Sequence, residues 1–175
     1  MKIRKILSTV FGFLALSSGS LWFGAYIARL IVTYQMFEPN ELLLKSYLSN
    51  SDLPTIFQTI FPLVNLTLFS YLTMIVSFTI FIISTDLKLK ENGWLFIISM
   101  IIYLTLPLET VLLNIDYKLF IIFINEQFSS NDVLKLIIQR ITILSSFPVI
   151  LILSYITIPY FLVVKPFSKK SKNEN

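Results

Sequence analysis

Four apolar stretches, each long enough to cross a bilayer, constrain everything else this chain can be. They run from about Ile6 to Phe37, Ile60 to Thr85, Trp94 to Ile115 and Leu136 to Val164. A hydrocarbon core of ~30 Å takes roughly 20 helical residues to span. Backbone N–H and C=O groups find no water there, so each stretch is expected to be helical despite its β-branched residues. The expected fold is an all-α integral membrane protein, a four-transmembrane-helix bundle over residues 1–165. A disordered basic tail is expected over 166–175. With 55% of its 175 residues hydrophobic and 14% charged, the chain carries more apolar surface than one small core could hide. Soluble domains run to about a quarter charged residues.

Lysine and arginine set the expected orientation. With both termini in the cytoplasm, that side holds Lys2, Arg4, Lys5, Lys88, Lys90, Lys165, Lys169, Lys170 and Lys172. The other side holds Lys45, Lys118, Lys135 and Arg140, with Arg29 inside the first span. The positive-inside rule favours this N-in, C-in arrangement, in a bacterial-type cytoplasmic membrane. The basic residues mark the ends of apolar runs rather than a soluble face, which argues against nucleic-acid binding. MKIRK followed by ILSTVFGFLAL and SSGS has the outline of a signal peptide. LWFGAYIA extends the apolar run at once, however, and an uncleaved first helix is the better reading. The outer links around LLL at 42–44 and DYKLFIIFINEQFSSND are apolar enough for short interfacial helices.

The chain contains no cysteine and no histidine. Disulfides, thiol nucleophiles, Cys/His zinc sites and histidine bases are therefore excluded. No catalytic constellation, metal site or cofactor motif is expected. Only four glycines occur, and none forms a phosphate-cradling loop. Asn65-Leu66-Thr67 matches a glycosylation sequon, but its place at the start of a span argues against its use.

What remains is a set of polar residues inside the spans. A helical rise of ~1.5 Å per residue puts Glu109, Tyr71 and the Ser17–Ser20 segment at one depth, ~22 Å from the inner boundary. Arg29, Asn65, Arg140, Glu38 and Asp116 come out nearer the outer boundary. Glu109 and Asp116, seven apart, share a helix face, as do Ser18 and Arg29. Arg140, Phe147 and Ser154 would line up on the fourth span. Charged residues in a span turn inward and find partners. An outer-leaflet cluster is therefore expected, of Arg29, Arg140, Glu109, Asp116 and Glu38 with Asn65, Tyr71, Ser18 and Ser20. Glu109 lies roughly 10 Å deeper than Arg29 by the same rise. Ser20, Gly24 and Ala28 form a small-residue ridge suited to close helix packing, in the bundle or across a dimer.

The functional expectation is a non-enzymatic accessory, structural or assembly subunit whose polar cluster packs helices or binds a ligand. A subunit of an oligomeric transporter or channel is the alternative, and a lipid-modifying enzyme using a carboxylate comes third. The expected partners are the bilayer and a homo-oligomer or larger membrane complex.

Overall fold

The computed structural model describes residues 2–38, 42–49, 51–125, 129–144 and 147–168. Six helices follow one another: α1 (Lys2–Tyr34), α2 (Leu53–Ser84), α3 (Gly93–Ile124), α4 (Ser130–Thr142), α5 (Phe147–Ile156) and α6 (Ile158–Val164). Four segments are long and apolar enough to cross a membrane: Ile3–Tyr34, Leu53–Ser84, Gly93–Ile124 and Phe147–Val164. No strand occurs among the described residues, only isolated bridges pairing Phe37 with Leu44 and Asn92 with Ser168.

The buried faces follow a seven-residue pattern. On α2 it comprises Leu53, Phe57, Ile60, Val64, Thr67, Tyr71, Met74 and Phe78. On α3 it comprises Leu95, Ile98, Ile102, Thr105, Glu109, Leu112, Asp116 and Leu119. Alternating steps of three and four give the 3.5-residue period of left-handed, near-antiparallel helix packing at ~20°. α1 packs along α2 in a steady antiparallel register. Gly12 faces Phe81, Gly19 faces Met74, Trp22 faces Tyr71 and Arg29 faces Thr67. Large apolar side chains such as Leu21, Ile31, Val76, Ile83 and Leu104 point outward, while Arg29, Thr67, Thr105, Glu109 and Asp116 are buried. This polar-in, apolar-out pattern is the distribution a lipid solvent selects.

The span boundaries differ from those expected. α2 begins at Leu53 and α3 continues to Ile124, because LFIIFI after Lys118 prolongs the apolar run instead of turning back. Asp116 is therefore well inside a helix, and the segment expected as an interfacial link supplies the last two turns of α3. The fourth span shrinks to Phe147–Val164. Pro62 and Pro107 sit inside the continuous helices α2 and α3, but before Pro148, which has no N–H to donate, the chain parts: α4 ends at Thr142 and α5 begins at Phe147. Pro159 likewise has no N–H to donate, and α5 and α6 part at Thr157. Arg140 thus sits on the separate helix α4, and its supposed alignment with Phe147 and Ser154 on one helix does not exist. α4 is amphipathic: Val133, Ile137 and Arg140 are buried while Asn131, Asp132, Lys135 and Gln139 are exposed. Val133 and Ile137 join Met36, Phe37, Leu53, Phe57, Ile60 and Leu119 in a second apolar core at the end of the bundle away from the termini.

The α1–α2 link contains no helix among its described residues. The Glu38 N–H donates to the Leu43 carbonyl at 2.9 Å, and the Lys45 N–H to the Met36 carbonyl at 3.0 Å. Just before α2, the Asp52 carboxylate accepts from the Ser49 backbone N–H at 3.0 Å and from the Ser49 hydroxyl. These bonds hold its carboxyl below the ordinary range. A depressed carboxyl contributes stability above its unfolded pKa and loses it as pH falls through the folded one. Ser49→Ala is expected to return Asp52 toward the ordinary carboxylate value in a carboxyl NMR titration.

At the opposite end the first and last described segments pack against the facing ends of α2 and α3. The Arg4 guanidinium donates to the Ser84 carbonyl at 3.1 Å, and the Gly93 N–H donates to the Phe167 carbonyl at 3.2 Å. Residues 166–168, expected to begin the tail, instead form a turn against the start of α3. A Cβ on Gly93 would stand 2.7 Å from the Phe167 Cβ, so only glycine admits that turn. The rest of the tail, 169–175, lies outside the described residues.

Of the two places expected for the small-residue ridge, the interior of the bundle is not where Ser20 and Gly24 lie. Ser20 and Gly24 are exposed, and a Cβ on Gly24 would meet nothing within 4 Å. The close approaches within the bundle fall at Gly12, where a Cβ would be 3.0 Å from the Phe81 ring, and at Gly19, 3.1 Å from the Met74 sulfur. Gly24→Ala is expected to stabilise the fold by up to ~1 kcal/mol through helix propensity. Gly12→Leu should destabilise it by ~1–3 kcal/mol through overpacking against Phe81. Thermal unfolding of both variants in one detergent checks the pair.

Candidate functional site

Asp116 on α3 accepts two guanidinium groups on a single oxygen. Its Oδ1 lies 2.7 Å from the Arg29 guanidinium nitrogen of α1 and 2.8 Å from Arg140 Nε of α4. The three side chains are 2%, 4% and 9% exposed, respectively. The second terminal nitrogen of Arg29 donates to the Thr67 hydroxyl of α2 at 3.4 Å. Arg140 also lies over the Tyr26 ring, 5.5 Å from its centroid. One carboxylate therefore ties together α1, α3 and α4, with α2 joined through Thr67.

Each helix supplies its part by the seven-residue repeat. Trp22 and Arg29 are one repeat apart on α1, and Glu109 and Asp116 one repeat apart on α3. Arg140 comes from α4, whose buried stripe at 133, 137 and 140 carries the guanidinium at its bundle-facing end. Taken out of water, two such cations side by side would repel strongly. The Asp116 carboxylate between them, together with charge-assisted hydrogen bonds, makes their burial tolerable.

Below the triad lies a layer without complete partners. Glu109 is 2% exposed and its Oε1 has no hydrogen-bond partner. The Tyr26 and Tyr71 hydroxyls are likewise buried and unpartnered, as is Asn65 Oδ1, which lies on α2 to the other side of Thr67. Glu109 is close enough to Arg140, Asp116 and Arg29 to feel their charge, and Tyr26, Tyr71 and Tyr155 feel its own. The rings of this layer surround Trp22, tilted or edge-on to it, with centroids 5.5 Å away for Tyr26, 5.2 Å for Tyr71 and 4.7 Å for Tyr155. The Tyr155 hydroxyl shares a hydrogen bond with Thr105 at 3.2 Å.

The structure brings together Arg29, Asp116 and Arg140, with Glu109 and Tyr71 beneath them. It does not bring in the others. Glu38 is exposed on the α1–α2 link. Ser18 and Ser20 donate to their own helix, at Leu14 (2.6 Å) and Leu16 (2.9 Å), the usual outlet for a hydroxyl in a helix. Neither is left as a donor to the cluster or as a nucleophile. Asn65 stays off the triad. The sequence reading missed Thr67, Tyr26, Trp22 and Tyr155. Thr67 and Tyr26 could have been found, since each lies three or four residues from a chosen residue on the same face. Tyr155 could not, because its placement depends on the break at Pro148.

The geometry predicts an unequal response to substitution. Asp116→Asn strips both arginines of their counter-charge and should destabilise the protein by ~3–5 kcal/mol. Arg29→Met leaves Asp116 paired with Arg140 and should cost clearly less. Unfolding of the two variants in the same detergent gives the order. No family model, curated protein or solved structure matches this chain.

Proposed function

We propose that this protein is a non-enzymatic integral membrane protein, an accessory or assembly subunit whose arginine–aspartate–arginine triad is a structural clamp. The observation that carries this reading is the double engagement of Asp116 Oδ1. This oxygen accepts both guanidinia at 2.7 and 2.8 Å, so the groups best suited to ligand or acid–base chemistry are spent on one another. Intramembrane ion pairs of this kind fix helix register and orientation. Here the clamp holds the amphipathic helix α4 over the end of the bundle. The basic residues around the first and last described segments support an N-in, C-in orientation in a bacterial-type cytoplasmic membrane, which places the triad in the outer leaflet. The expected partner is a second membrane protein or another copy of this chain, against the exposed apolar faces.

A second reading rests on one observation. The unpartnered Glu109 oxygen and the Tyr26 and Tyr71 hydroxyls form a polar layer near mid-bundle, as an intramembrane carboxyl in a proton or ion path would require. Four spans rarely enclose a path alone, so this reading needs an oligomer. Lipid chemistry through a carboxylate ranks lower. Asp116 is engaged by both arginines and Glu38 is remote, leaving Glu109 without a partner base.

Proteoliposomes separate the two readings. The clamp reading predicts no proton or ion flux from the wild-type protein, and Glu109→Gln should unfold within ~0.5 kcal/mol of it. A flux abolished by Glu109→Gln at unchanged stability would replace the clamp reading with transport. The subunit assignment further predicts a protein mass, with bound detergent subtracted, above that of the 20.2 kDa chain after mild-detergent extraction at native expression. A sharp monomer peak would count against it.

A further inference from the structure

The half of the bundle nearest the termini contains a lateral groove that the clamp does not use. It has a volume of about 330 Å³ and lies between α1 and α6, floored by α2 and α3. Gly12 and Gly19 keep its α1 wall low, Trp94 and Ile98 form its back, and Tyr155 closes its deep end. Leu16, Ser20 and Pro159 stand at its rim and are exposed, so it opens sideways toward the surface where the bundle presents its large apolar side chains. The guest it admits must be apolar. Its hydroxyls are already committed, Ser20 to the Leu16 carbonyl and Tyr155 to Thr105. A guest that asks for no hydrogen bonds, within a membrane span, is a hydrocarbon chain.

The shallow end adds a charge. Lys165, exposed at the end of α6 with φ 47°, places its ammonium 5.7 Å from the centre of the Trp94 ring. A cation at headgroup level above an apolar slot is complementary to an anionic headgroup with its chain below. We propose that the groove binds one acyl chain of an anionic phospholipid, with its phosphate beside Lys165. Trp94 would then contact the chain directly while its cation partner contacts the headgroup. The site is separate from the triad, which lies in the other half of the bundle.

The chain's two tryptophans make this measurable. Trp22 is 1% exposed inside the core, so Trp22→Phe isolates Trp94 as a reporter. Trp94 is 7% exposed and is reached by lipid only through the groove. In vesicles of zwitterionic phosphatidylcholine, a brominated anionic phospholipid should quench Trp94 at a mole fraction about fivefold lower than a brominated zwitterionic one, the share one lysine supplies. Lys165→Gln should merge the two curves. Leu16→Phe combined with Ser20→Phe fills the groove from its exposed rim and should weaken quenching by both lipids. Native mass spectrometry of the wild-type protein, which needs no substitution, should retain one anionic phospholipid per chain. Equal quenching by both lipid classes, quenching unchanged in the filled variant, or no retained anionic lipid would overturn the proposal.

Discussion

One oxygen, Asp116 Oδ1, holds the upper half of this bundle in register. Three helices reach it: α3 carries the carboxylate, α1 brings Arg29 and α4 brings Arg140. In lipid the helices gain little from apolar contact, since the surrounding tails are as apolar as the side chains they would exclude. Association falls to packing and polar links, and the strongest polar link here is this one. α4 depends on it most. Only three of its residues are buried, Val133, Ile137 and Arg140, so without the arginine its attachment would rest on two aliphatic contacts and their neighbours. Net stabilisation by a buried ion network is small once desolvation is counted. Its effect is to make alternative arrangements costly, because any other register strands a charge in hydrocarbon.

The two halves of the bundle are built on different principles. Towards the termini, α1 and α2 approach closely at Gly12 and Gly19 against Phe81 and Met74, and the core there is aliphatic and aromatic. Further along, the stripes of α1, α2 and α3 carry a polar layer, with Arg29, Thr67 and Asp116 in positions that apolar residues occupy on either side, before the second apolar core closes that end. Glu109 and the Trp22-centred rings lie at the change-over. Unpartnered polar atoms at that level, next to the triad, form a second polar layer distinct from the clamp.

Much of this was legible in the residues. Three spans and the inward stripe of Arg29, Glu109 and Asp116 follow from apolar length and the seven-residue repeat. The choice of partner did not follow. Depth counting sets Asp116 near the outer boundary with Arg29 and Arg140 and leaves Glu109 about two turns deeper, but a third span ending at Ile115 leaves Asp116 just outside the helix, so both carboxylates stay candidates. Extending α3 to Ile124 puts Asp116 fully inside a helix and level with Arg29. Arg140 was assigned to the wrong helix for a related reason. The hydropathy of 136–164 is nearly continuous, and it does not mark the end of α4 at Thr142. Ser18 and Ser20 failed as cluster members because a hydroxyl in a helix can bond its own preceding turn, a local solution that spacing does not reveal. The Gly24 ridge has the right spacing and faces away from the bundle.

The central claim is that Asp116 is shared by two arginines in the membrane. Solid-state NMR can read this from the distance between a labelled Asp116 carboxyl carbon and guanidinium nitrogens, in bilayers of the full chain. Arginine occurs only at positions 4, 29 and 140, so Arg4→Lys leaves two guanidinia to assign. The account predicts dephasing of the Asp116 carbon by both, with Arg29→Lys and Arg140→Lys each removing one contribution. Contact with only one arginine, or with neither, would contradict it.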